Sequence, residues 1–78
     1  MKKAIITGAN GQLGKRFLES LVSEGYFVYA VDLNLGEISK SNYVQPIELD
    51  ITNEKAVHHF FSSIKSVDLL INNAGLGV

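Results

Sequence analysis

Three short runs along the chain are apolar or β-prone from end to end: Lys3–Thr7 (KAIIT), Tyr26–Val31 (YFVYAV) and Val67–Ile71 (VDLLI). Continuous runs of this kind suit parallel strands covered on both faces, because neither side has to meet water. A fourth run, Tyr43–Leu49 (YVQPIEL), is weaker and alternates. Two segments between the runs repeat at helical spacing instead. In Gly11–Glu24, residues Leu13, Phe17, Leu18, Leu21 and Val22 fall on one stripe, and Gly25 supplies a stop. In Asn53–Lys65, residues Ala56, Val57, Phe60, Phe61 and Ile64 do the same, with Thr52 or Asn53 as the N-cap.

Strand and helix therefore alternate, which predicts an α/β fold: a doubly wound parallel sheet of four strands with helices on both faces. The link Leu33–Asn42 is only ten residues and contains Gly36. A parallel crossover normally needs a dozen or more, so at most a turn or two of helix is expected there. Pro46 constrains the order. A proline inside a strand belongs at a sheet edge, where its missing N–H goes unused, and in the order 3-2-1-4 the third strand is an edge.

Composition narrows the function classes. Seventy-eight residues allow one domain with a small core. Seven basic and eight acidic residues leave a net charge of −1, which invites neither nucleic acid nor anionic lipid. No stretch approaches the roughly 18 apolar residues of a membrane span. Lys2 and Lys3 precede only three apolar residues, too few for a secretory signal. The absence of Cys excludes disulfides and thiolate metal sites. A cytoplasmic location is the expectation.

The chemistry begins at TGANGQLG, residues 7–14, where Gly8, Gly11 and Gly14 are spaced three apart. Strand, glycine-rich turn and helix together make a phosphate receptor. Glycines permit the turn, let backbone approach the ligand and let helix pack on strand, while the helix end at Gly11–Leu13 offers free N–H groups. The bland alternative is a tight strand-to-helix connection. No Gly-Lys-Ser/Thr ending follows, which argues against a triphosphate loop. Asp32 ends the second strand, 18 residues after Gly14. There its carboxylate is placed to accept both ribose hydroxyls of an adenosine and to repel a 2′-phosphate, favouring NAD over NADP, the plainer alternative being an Asp that starts a surface turn. Asp50 reads equally as a helix-start residue or as an adenine contact. His58 and His59 are adjacent on a helix, point about 100° apart and cannot share a metal. No metal site is expected.

TGANGQLG, then Asp32, then LDIT at 49–52, then INNAG at 71–75, in that order, resemble the N-terminal half of a short-chain dehydrogenase/reductase. The resemblance spans essentially the whole chain and implies a truncated Rossmann fold, with residues 1–78 forming a partial dinucleotide-binding domain. It implies cofactor-binding roles for Gly8, Asn10, Gly11, Gln12, Leu13 and Gly14, for Asp32, for Asp50 and Ile51, and for Asn73, Ala74 and Gly75. Asn72 to Gly75 would also steady the sheet. The glycine spacing GxxGxxG is closer to the family's epimerase-like, extended branch. The family's catalytic Ser and Tyr-x-x-x-Lys pair lie beyond the NNAG segment. Tyr26, Tyr29 and Tyr43, all on expected strands, have no Lys four residues later.

The expected function is therefore the NAD(P)-binding portion of an oxidoreductase or epimerase, without catalytic residues and inactive alone. The alternative is a non-catalytic nucleotide-binding or self-associating module without cofactor affinity. Val67–Ile71 reads as a central strand left at an edge, so a homo-oligomer joined through it is expected.

Overall fold

The computed structural model describes residues 1–74, so the role expected of Gly75 lies outside the described residues. The elements run β1 (Lys3–Thr7), α1 (Gln12–Ser23), β2 (Phe27–Asp32), β3 (Val44–Glu48), α2 (Glu54–Ser62) and β4 (Leu69–Asn72). The four strands form one parallel sheet in the order β3-β2-β1-β4. This is the expected doubly wound arrangement.

Side-chain alternation divides the sheet between two helices. Ala4, Ile6, Val28, Ala30 and Val44 point to one face, where Leu21 of α1 joins them in a buried cluster backed by Phe17, Leu18 and Val22. Ile5, Val31 and Leu49 point to the other, where Phe60 of α2 covers them with Ala56 and Val57 packed around. The Phe60 ring meets Tyr29 edge-on at 6.1 Å. Helices thus occupy both faces, and the uninterrupted apolar runs of β1 and β2 follow from burial on both sides.

Pro46 sits on β3, at one edge, beside Ala30. The Leu49 N–H donates to the Asp32 carbonyl. By alternation the N–H groups of residues 45 and 47 also face β2, so position 46 faces outward, where proline has nothing to lose.

The link between β2 and β3 contains no helix, within the limit of a turn or two expected for it, and Ile38 packs from the loop onto the α1-side cluster. Three expectations differ in detail. α2 ends at Ser62 rather than Lys65, because the Ser63 hydroxyl donates to the Phe60 carbonyl at 2.6 Å and the Ile64 N–H turns to the Phe61 carbonyl. Leu13 is 45% exposed despite its place on the stripe, because Gly14 is the residue that α1 turns inward at its start. Tyr26 and Tyr43 each precede their strand by one residue, and only Tyr29 lies within one.

Candidate functional site

The carboxyl ends of the four parallel strands share one edge of the sheet, and every candidate residue lies at it. In open α/β sheets the ligand crevice forms where the chain reverses its direction of strand addition. Here that point lies between β1 and β4, and the turn Gly8–Gly14 sits over it.

The three glycines do different jobs. Gly8 adopts φ +69°, a left-handed conformation, and a Cβ there would meet Ala74 N at 3.0 Å. Gly14 is buried, and a Cβ on it would run into the Gly8 carbonyl oxygen and come within 2.9 Å of Ala9 Cα. That absence of a side chain lets α1 start against the end of β1. Gly11 has ordinary φ −74°, and a Cβ would touch only the Gly8 oxygen, at 3.5 Å. Its bareness leaves room on the solvent side.

Gly11 is also the N-cap of α1, makes no side-chain cap bond, and no acidic residue occupies the first turn. The first N–H groups, at Gln12 and Leu13, lack intrahelical acceptors, because the first helical bond runs from Lys15 N–H to the Gly11 carbonyl. An exposed helix end of this kind, with space before it, suits an anionic oxygen.

Asp32 closes the site from β2. Its Oδ2 accepts the Asn10 N–H at 2.9 Å, so the carboxylate stands against the glycine turn. Asn73 closes it from β4: its Nδ2 donates to the Gly8 carbonyl at 3.1 Å. The Ala74 N–H donates to Thr7 Oγ1 at 3.1 Å, and that hydroxyl donates to Asn72 Oδ1 at 2.9 Å. The Asn-Asn-Ala segment therefore ties the fourth strand to the turn.

Asn10 is brought into contact with Asp32, and Gly8 with Asn73 and Ala74, with Gly11, Gln12 and Leu13 at the adjoining helix end. Asp50 and Ile51 stand apart on the same edge, just after Leu49, which bonds Asp32. Asp50 Oδ1 accepts both the Thr52 N–H at 2.9 Å and the Thr52 hydroxyl at 2.7 Å. Those bonds, the hydroxyl first, hold its carboxyl below the ordinary value. The helix cap proper is Asn53, whose Oδ1 accepts the Ala56 N–H at 3.1 Å. Ile51 is 44% exposed, an apolar surface at the rim. His58 and His59 lie exposed on α2.

Sequence reasoning missed Thr7. It is buried, and its hydroxyl is the hinge between strand and motif. The signal was a hydroxyl residue ending an apolar strand, but only the β1–β4 register places it opposite Asn72.

The fold and the glycine turn together define a Rossmann-type dinucleotide-binding unit. The sequence model of the short chain dehydrogenase family matches residues 2–78, and the chain belongs to that family. It is 33% identical over 87 residues to human dehydrogenase/reductase SDR family member 11, covering 94% of this chain and 34% of that protein. A short chain dehydrogenase from Leptospira borgpetersenii, solved with bound NAD+, superposes with a TM-score of 0.88 at 38% identity, over 99% of this chain and 32% of that one. A 4-hydroxyisoleucine dehydrogenase complexed with NADH gives a TM-score of 0.87 at 27% identity, over 97% and 35%. The chain thus spans about a third of the length of these relatives. No helix among the described residues is long and apolar enough to cross a membrane.

Proposed function

We propose that this chain is the NAD-binding portion of a short-chain dehydrogenase/reductase-type oxidoreductase, holding the adenosine end of the dinucleotide and performing no turnover alone. The observation that carries the reading is the Asp32 carboxylate standing against the glycine turn through the Asn10 N–H, beside a bare helix N-terminus. In this reading the Gln12 and Leu13 amides hold the pyrophosphate. The Gly11 backbone lets it approach, and Asp32 accepts the ribose hydroxyls. Asp50 and Ile51 flank the adenine, and Asn73 with Ala74 lines the inner wall. The nicotinamide ring, when bound, would supply the hydride.

Asp32 also sets the expected choice of NAD over NADP, since a 2′-phosphate would bring a second anion against it. Inactivity is supported by the tyrosines, none of which has a Lys four residues later. Self-association through β4 and a cytoplasmic location belong to the same reading, and fractionation of a tagged chain checks the latter.

Calorimetric titration with NAD, ADP-ribose, AMP and NADP tests the core of it. Comparable affinities for the first three, with NADP weaker, are expected. Absence of binding would leave the alternative, a self-associating module without cofactor affinity.

A further inference from the structure

Between β2 and β3 the chain folds back over the glycine turn. Asp32 Oδ1 accepts the Asn34 N–H at 3.2 Å while Oδ2 accepts the Asn10 N–H, so backbone amides from two segments tether both carboxylate oxygens. Asn34 then bends the chain: its Oδ1 accepts the Gly36 N–H at 3.0 Å. Gly36 adopts φ +57°, and a Cβ there would lie 2.5 Å from Asn10 Oδ1 and 2.7 Å from Asn10 Nδ2. Asn10, Asp32, Asn34 and Gly36 thereby close a ring. Position 36 is left-handed, and a side chain there would have to displace the Asn10 amide group.

We propose that Asn34 and Gly36 are positioning residues for cofactor discrimination: by seating the loop against Asn10, they hold the Asp32 carboxylate in the orientation that takes two ribose hydroxyls and refuses a 2′-phosphate. This rests on the NAD-binding reading above. An ionised carboxylate has about four lone-pair sites. One on each oxygen goes to a backbone amide here, which leaves one on each for a hydroxyl donor. A carboxylate tethered on both sides cannot rotate away from an incoming phosphate. Released from the loop, it can swing outward, losing the paired ribose contact and much of the repulsion together. The signature is therefore a change in the NAD-to-NADP ratio. A merely stabilising turn would weaken both cofactors alike.

The test is calorimetric titration of NAD and NADP into the 78-residue chain and three variants. Asn34→Ala removes the acceptor for the Gly36 N–H. NAD affinity is expected to fall about fivefold, the worth of one neutral hydrogen bond, with NADP affected less and the ratio narrowed accordingly. Asn34→Ser keeps a side-chain oxygen able to make the same kind of turn and restores most of the ratio. Gly36→Ala drives the Asn10 side chain from its seat and narrows the ratio by a similar factor. The role stands only if both alanine variants narrow the ratio. An unchanged ratio in either, with the unmutated chain preferring NAD, overturns it while leaving the cofactor reading intact. No NAD binding by the unmutated chain, or no preference over NADP, overturns the cofactor reading and this role with it.

Discussion

Two of the three glycines in the turn fail in different ways when given a side chain, while Gly11 would make only an ordinary contact. At Gly14 the obstacle is backbone, the Gly8 carbonyl and Ala9 Cα, which cannot step aside without moving β1 or α1. Gly14→Ala is expected to destabilise the fold by about 2–3 kcal/mol, the scale of overpacking in a closed core, read from thermal unfolding. Gly8→Val combines a left-handed backbone with a β-branched side chain aimed at Ala74. It is expected to abolish the rise in melting temperature that NAD produces, a rise that corresponds to about 2.7 kcal/mol at 100 times the dissociation constant. An unchanged rise would refute the cradle. Asp50 offers a test on the acid side. Its carboxyl is held low by the Thr52 hydroxyl first and the Thr52 N–H second. A lowered carboxyl favours the folded chain above its ordinary range and loses that advantage as pH falls through the folded value. Thr52→Val removes the hydroxyl, so the Asp50 resonance should titrate at higher pH, nearer the ordinary value, and the acid-side loss should shrink. Carbon-detected NMR titration of the Asp50 carboxyl reads this directly.

Elements were legible where burial alone decides them, and less so where a local bond intervenes. β1 and β2 are read from continuous apolar runs because both faces are covered, and Pro46 correctly places β3 at an edge. The stripe of α2 reads past its true end because Ile64 still packs on the core from outside the helix, after the Ser63 hydroxyl has broken the ladder. Leu13 misleads in the opposite sense: periodicity counts apolar side chains and is blind to a glycine that faces inward. At the site, Gly8, Gly11, Gly14 and Asp32 are visible by spacing within one strand–turn–helix–strand unit. The pairing of Thr7 with Asn72 depends on strand register between residues 65 positions apart, which no local pattern encodes. The seat of Gly36 against Asn10 likewise exists only once the loop folds back. α2 also carries its own prediction. Asn53 is its one side-chain cap, accepting the Ala56 N–H, and Glu54 follows in the first turn. Asn53→Ala is expected to cost about 1 kcal/mol in chemical denaturation. A change within error would mean that Asp50 and Thr52 hold the helix start unaided.

The molecule has two unequal sheet edges. β3 presents Pro46, whose ring blocks a new strand, together with Gln45 and the exposed Glu48. Among the described residues, β4 presents none of these protections. The Asp68 N–H donates inward to the Lys3 carbonyl, so by alternation the Leu70 and Asn72 N–H groups also face β1, while those of Leu69 and Ile71 face away from the sheet. On the α1 face, Leu69 and Ile71 pack against the core, but on the other face Leu70, beside Ile5, is 51% exposed. A bare apolar edge is a template for another strand. In the 78-residue chain the partner expected is a second copy, its β4 antiparallel to this one across a two-fold axis. That geometry matches each free N–H with a carbonyl and sets the two Leu70 side chains on the same face. Covering the exposed half of each Leu70 adds about 1 kcal/mol per copy to the strand pairing. Light scattering after size exclusion at micromolar concentration should therefore report a dimer or larger assembly. Leu70→Lys, which charges the edge without touching the cofactor turn, should shift the chain toward monomer while its circular dichroism stays α/β. A folded monomer in the unmutated chain would sink the edge-pairing argument. An assembly indifferent to Leu70→Lys would move the interface elsewhere on the surface.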